Sequence, residues 1–169
     1  MTSKSTANSL ANVRLVAFDV DGVFTDGRFH LSDDGIESKS FCTQDGFGVR
    51  QLLKSGVEVA VISGRSSVAV EHRMKELGVA HILLACSDKT AAFDTLIAKL
   101  GIGAEEAAFV GDDIPDLPLL SKVGHSFAVA NAVSAVREYC RYTTEASGGD
   151  GAVREVCELV LAAQGEGRT

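Results

Sequence analysis

Short apolar runs that each stop at an Asp, Ser or Gly, alternating with helical stretches, constrain this chain more than any other feature. Val13–Phe18 stops at Asp19, Val57–Ile62 at Ser63, and Ala107–Val110 at Gly111-Asp112, with weaker runs at His81–Leu84 and Phe127–Val129. Between and after them, apolar positions recur at helical spacing over Phe47–Lys54, Ser67–Leu77, Lys89–Leu100, Leu117–Val123, Val133–Cys140 and Ala152–Leu161. Strands that are apolar throughout are buried on both faces, and strands separated by helices join through right-handed crossovers. The pattern predicts an α/β fold, a doubly wound parallel sheet with helices on both faces. One segment breaks the rhythm. Gly27–Phe41 has two extended patches about Asp33-Asp34-Gly35 and reads as a β-hairpin inserted directly after the first strand, the alternative being a plain surface excursion.

A chain of 169 residues fits one domain, expected over residues 13–163, with no room for a separate cap domain. The polar residues 1–12 lack the apolar core of a signal peptide and predict a disordered start, and residues 164–169 predict a mobile tail. Ser147–Gly151 (SGGDG) reads as a flexible linker before the last helix. Sixteen Lys and Arg against 23 Asp and Glu give a net charge of −7, which argues against a nucleic-acid partner. No apolar run approaches membrane-spanning length, so no membrane partner is expected and a cytoplasmic location follows by default. Cys42, Cys86, Cys140 and Cys157 lie far apart, form no CxxC pair, and predict reduced, mostly buried thiols. His30, His72, His81 and His125 show no ligand spacing and receive no catalytic role.

In a doubly wound sheet, ligands bind outside the carboxyl ends of the strands. The polar residues expected there are Asp19 and Asp21, Ser63-Gly64-Arg65, Lys89 opening a helix, and Asp112-Asp113. A carboxylate ending an apolar strand is costly without a cation or donors, and so many acids on one rim repel one another. A hard divalent cation with oxygen ligands, Mg²⁺, relieves both problems. A carboxylate nucleophile beside a metal ion is a route to phosphoryl transfer, with Lys89 and the Ser63 hydroxyl holding the transferred group's oxygens. Each piece alone is weak, since Asp often caps helices and a lone Lys is usually solvated; the fixed order of all four carries the weight.

That order, Asp19-x-Asp21, Ser63, Lys89 and Gly111-Asp112-Asp113-x-x-Asp116, resembles the four motifs of the haloacid dehalogenase superfamily of phosphatases. The longer strings DVDGVFTDG (19–27), KSFCTQDGFGVR (39–50), ISGR (62–65), GDDIPDLP (111–118) and GGDGAVREVCELVLAAQG (148–165) are most similar to its capless members. These are the phosphatases of 3-deoxy-D-manno-octulosonate (KDO) 8-phosphate, and the likeness runs from about Val13 to Gly165. The resemblance implies a Rossmann-like fold, Mg²⁺ as cofactor and an aspartyl-phosphate intermediate. It implies Asp19 as nucleophile and metal ligand, and Asp21 as general acid and base with its backbone carbonyl on the metal. Ser63 and Lys89 would hold phosphate, Asp112 would ligate the metal, and Asp113 and Asp116 would support it. Substrate contacts are implied for Asp21, Cys42, Thr43, Gln44, Asp45, Gly46, Arg50, Arg65, Arg73 and Lys89.

The implied substrate is an acidic sugar phosphate, KDO 8-phosphate in lipopolysaccharide precursor synthesis. Its carboxylate suits an arginine fork, for which Arg50, Arg65 and Arg73 are the candidates. Arg73 has a bland alternative as the ion-pair mate of Glu76 at i+3. An Asp45–Gly48 turn is expected to open a helix at Gly46-Phe47, offering backbone N–H groups to anions. The resemblance further implies a homotetramer packed through the hairpins, with the C-terminal tail reaching a neighbouring subunit's site. Two alternatives stand beside this reading. One is a phosphatase for a nine-carbon sugar-acid phosphate. The other is a phospho-receiver domain, which places its Asp on a middle strand, whereas here Val57–Ile62 ends in Ser63 and the acid pair follows the first strand.

Overall fold

The computed structural model describes residues 10–165. Strand β1 (Leu15–Phe18) leads into a hairpin of β2 (His30–Leu31) and β3 (Glu37–Ser38), then α1 (Thr43–Lys54) and β4 (Glu58–Ile62). There follow α2 (Val68–Leu77), β5 (His81–Leu83), α3 (Lys89–Leu100), β6 (Ala107–Gly111) and α4 (Leu117–Leu120). The chain ends with β7 (His125–Ala128), α5 (Ser134–Tyr139), β8 (Tyr142–Thr143) and α6 (Ala152–Ala163). The main sheet has the order β5-β4-β1-β6-β7-β8 and every neighbouring pair is parallel. This is the expected doubly wound α/β fold, and β1 sits inside it because all four of its residues are buried.

Helix boundaries follow local chemistry. Ser67 caps α2 by accepting from the Val70 N–H, and Asp88 caps α3 by accepting from the Ala91 N–H. The hairpin forms where the sequence places it. Its turn closes through Gly35 N–H to Ser32 O at 2.9 Å, with Gly35 at φ +78°. The core is built from β-strand Val, Ala and Ile residues with Phe18, Phe93, Phe109 and Phe127, all fully buried. Phe24 is also core, edge-on to Phe18 at 5.3 Å.

Four expectations need correction. The sheet has a sixth strand, β8, too short at two residues to leave a pattern in the sequence. Helix α1 begins at Thr43, so Asp45–Gly48 lies inside it and forms no turn. Gly148 and Gly149 are not a loose linker: their N–H groups donate to Asn131 Oδ1 and Val23 O at 2.9 and 3.0 Å. Of the four free thiols only Cys157 is buried, the other three being half-buried. The expected disorder of residues 1–12 falls outside the described residues for 1–9, while Leu10 is buried. Of the tail, residues 166–169 lie outside the described residues; Gln164 Nε2 donates to Val13 O at 2.8 Å. Among the described residues no helix is long and apolar enough to cross a membrane.

Candidate active site

The carboxyl end of β1 delivers Asp19 to the middle of the sheet's edge, its N–H bonded to Val110 O on β6 at 2.9 Å. The residue is 8% exposed. Its Oδ1 accepts from the Val20 N–H at 2.7 Å and faces Lys89 Nζ at 3.1 Å. Two donors on one oxygen fix the direction in which Oδ2 points. Lys89, the first residue of α3, also donates to Asp116 Oδ1 at 2.7 Å. Asp116 is 1% exposed and folds its own loop around itself, its Oδ2 accepting from the N–H groups of Asp112 and Asp113.

Asp19, Asp112 and Asp116 each bring a carboxylate oxygen to one place, all within 4.8 Å of one another. Burial is the largest influence on the first two, followed by the neighbouring negative charges. Asp19 is raised from 3.8 to about 7 and Asp112 from 3.8 to about 8, even with Lys89 pulling both down. Burial alone would lower the Lys89 pKa, but Asp19 and Asp116 outweigh it and keep the ammonium charged. Three clustered carboxylates against one ammonium, with oxygen donors only, fit a hard divalent cation such as Mg²⁺.

The loop after β1 is shaped to let Asp112 in. Gly22, at φ +87°, packs so closely on the Asp112 carboxylate that a Cβ there would lie 1.9 Å from Oδ2. Thr25 Oγ1 holds the loop by accepting from the Gly22 and Gly27 N–H groups at 3.3 and 3.1 Å. From the other side, Gly148 rests on the Gly22 carbonyl, where a Cβ would lie 1.8 Å from the oxygen. The glycine-rich segment therefore braces the acid loop, and its glycines serve close approach.

Asp21 stands apart from the trio by its side chain. Its Oδ1 pairs with Lys39 Nζ, and its Oδ2 lies 3.7 Å from Arg65 Nε. Arg65 Nη2 in turn donates to Glu37 Oε2 at 2.6 Å. Ser63, ending β4, is 3% exposed, and its Oγ accepts from the Arg65 N–H at 3.3 Å. Asp113 is exposed and caps the short turn Ile114–Asp116, accepting from the Ile114 N–H.

The remaining expected substrate residues have the following partners within the chain. Arg73 pairs with Glu76 Oε2 at 2.9 Å, and Arg50 Nη2 donates to Glu76 O at 3.2 Å. Cys42 is the N-cap of α1, Thr43 and Gln44 lie in its first turn, and Gly46 packs against the Arg73 guanidinium. Asp45 is 1% exposed and turned toward α6, its Oδ1 accepting from the Arg154 N–H at 2.9 Å. Sequence reasoning gave no role to Lys39 or Glu37. The signal was present in the alternation of Glu37-Ser38-Lys39, which puts the two charges on one face of the hairpin.

Comparison with known proteins places this geometry among relatives. A family signature for haloacid dehalogenase-like hydrolases matches residues 80–156. The chain is 46% identical over 155 residues to the 3-deoxy-D-manno-octulosonate 8-phosphate phosphatase KdsC of Salmonella typhi, covering 92% of this chain and 82% of that one. A solved 3-deoxy-D-manno-octulosonate 8-phosphate phosphatase from Yersinia pestis superposes with a TM-score of 0.95 at 41% identity, over 97% of this chain and 89% of that one. The enzyme of that name from Moraxella catarrhalis, solved with magnesium ion, phosphate ion and KDO, gives a TM-score of 0.94 at 42% identity. That match spans 96% of this chain and 94% of the other.

Proposed function

The chain belongs to the KDO 8-phosphate phosphatases of the haloacid dehalogenase superfamily, and from that membership we propose that the Asp19 rim performs their reaction. The protein is a Mg²⁺-dependent phosphatase that hydrolyses KDO 8-phosphate to KDO and inorganic phosphate, a step toward lipopolysaccharide precursors. The observation that carries the assignment of residues is the Lys89 ammonium bridging Asp19 and Asp116 at 3.1 and 2.7 Å, with Asp112 in the same cluster.

Asp19 and Asp112 would hold the metal together with the Asp21 backbone carbonyl, and Asp116, whose oxygens accept from Lys89 and from the Asp112 and Asp113 N–H groups, would brace them. Mg²⁺ bound there supplies positive charge against the phosphoryl oxygens. Lys89 favours the ionised form of Asp19 against the burial that raises its pKa, and with the Val20 N–H it occupies Oδ1, which leaves Oδ2 to attack phosphorus. As the Asp19–phosphorus bond forms, the bond to the sugar oxygen breaks and Asp21 gives that oxygen its proton. Asp21 then takes a proton from water as the water oxygen bonds to phosphorus and the Asp19–phosphorus bond breaks. Ser63 and Lys89 would hold the transferred group's oxygens. Arg65, half exposed and beside Asp21, is the cation best placed for the substrate's carboxylate. Phosphate release from KDO 8-phosphate tests the assignment. Asp19→Asn and chelation by EDTA should each abolish it, and full activity after either would sink the mechanism.

The enzyme is read as one domain over residues 13–163, acting in the cytoplasm as a homotetramer. The hairpin supports assembly: Leu31 and Ile36 are 64% and 69% exposed on a two-stranded unit that needs a packing surface. Gln164 is bonded beside the start of β1, at the end of the strand opposite Asp19, so the described end of the chain stays away from its own Asp19 rim. Light scattering that returns the 17.7 kDa chain mass at micromolar concentration would rule the tetramer out.

A further inference from the structure

Lys39 is the least expected charge in the molecule. It lies just past β3, in a hairpin whose strands are two residues long, yet its side chain is 0% exposed. Withdrawing an ammonium from water costs several kcal/mol unless carboxylates replace the lost hydration. Two do so here, since Nζ bonds to Asp21 Oδ1 and lies 3.6 Å from Glu37 Oε1. The Phe29 ring covers Nζ as well, its centroid 5.9 Å away.

Glu37 is itself pinned. Ser67 Oγ donates to its Oε1 at 2.8 Å and Arg65 Nη2 to its Oε2 at 2.6 Å. Arg65 also stacks over Phe29, its guanidinium carbon 4.2 Å from the ring centroid. Ser67 begins α2, so the chain of contacts runs from the sheet-anchored body through Glu37 and Lys39 to Asp21. A carboxylate at the end of a loop samples several rotamers, whereas proton transfer needs it held to a fraction of an ångström.

We propose that Lys39 is the positioning residue for Asp21, gripping Oδ1 from the hairpin so that Oδ2 faces the substrate oxygen, with Glu37 and Ser67 holding Lys39 in turn. The proposal rests on the reading of Asp21 as the acid–base residue. A buried ion pair is a poor way to gain stability, and an apolar side chain of similar length fills the same space. Catalysis and stability therefore come apart when Lys39 is changed.

The test uses the full chain with Mg²⁺ and three substrates: KDO 8-phosphate, glycerol 1-phosphate as a plain alkyl phosphate, and p-nitrophenyl phosphate. Departure of an alkoxide needs the proton from Asp21, while nitrophenolate leaves without it, and kcat/KM reports this step. Lys39→Met should lower kcat/KM for the alkyl phosphates on the order of 30-fold or more. The aryl phosphate should change by less than about threefold, with Mg²⁺ affinity unaltered. Lys39→Arg should recover part of the loss. If Lys39→Met fails to fold, the pair Glu37→Gln with Lys39→Met removes both charges together and should show the same split. Equal losses on alkyl and aryl phosphates, or weakened Mg²⁺ binding, would overturn the positioning role. Asp21→Asn without the split would overturn the acid–base reading beneath it. A wild type that turns over glycerol 1-phosphate but not KDO 8-phosphate would sink only the substrate.

Discussion

Lys89 Nζ lies 3.1 Å from Asp19 Oδ1 and 2.7 Å from Asp116 Oδ1, so one ammonium joins the end of β1 to the loop after β6. That link makes the two carboxylates a unit. It holds Asp19 against the repulsion of Asp116, and it engages only Oδ1 of Asp19.

Lys89→Met should therefore cost activity far more than structure. Phosphate release should fall by roughly 100-fold to 1,000-fold, the scale of losing one preorganised donor to developing charge. Mg²⁺ should still bind, since all three acids remain. Parallel kinetics and metal titration check this, and a variant with near-normal turnover would remove Lys89 from the site.

The trio predicts a pH dependence that metal reverses. Asp19 and Asp112 rise from 3.8 to about 7 and about 8 on folding. Raised carboxyl pKa values contribute stability that is complete below the unfolded value near pH 4 and lost as pH climbs to the folded values. The metal-free protein should therefore melt at lower temperature at pH 8 than at pH 6. Mg²⁺ binds the deprotonated acids, so the rise in melting temperature that it confers should be larger at pH 8. Thermal scans with EDTA and with Mg²⁺ at both pH values decide the matter, equal shifts counting against the site.

Gly148→Ala tests the brace on the acid loop. The new Cβ would lie 1.8 Å from the Gly22 carbonyl oxygen and 3.0 Å from that of Thr25, both backbone atoms that cannot swing aside. A loss of about 2 kcal/mol or more is expected, a drop in melting temperature on the order of 4–8 °C. Turnover should fall too, because the Gly22 peptide carries Asp112 on its other face. An unchanged melting temperature would return the segment to a loose linker.

Asp45→Ala separates a structural role from a substrate contact. Its carboxylate accepts from the Arg154 N–H in the first turn of α6, and losing such a cap costs about 1–2 kcal/mol. Stability should drop while KM for KDO 8-phosphate holds. A raised KM with normal stability would restore the substrate role.

The strands and the rim were legible because their signal is local. An apolar run that stops at Asp19 or Ser63 marks both the strand and the edge where chemistry collects. The glycines of Gly148–Gly151 misled, since a sequence shows that a side chain is missing but not whether a neighbour fills the gap. Gly46 and Gly48 hid the start of α1 for a related reason, as both lie under arginine side chains, Arg73 and Arg154. Lys39 stayed silent because its partners Asp21 and Glu37 belong to a network closed by Arg65 and Ser67, 28 and 30 residues beyond Glu37. Alternation places its face, and only the fold supplies what it meets.

The hairpin joins two jobs in one short ribbon. Its outer residues Leu31 and Ile36 are the apolar handle, and a few residues further on Glu37 and Lys39 hold the acid. A neighbour docked at the tip would bear on Asp21 through Glu37 and Lys39. In an enzyme assembled through that handle, specific activity would follow protein concentration through the association range, and dilution would act as a brake. Quaternary contact would then become a control input to the site.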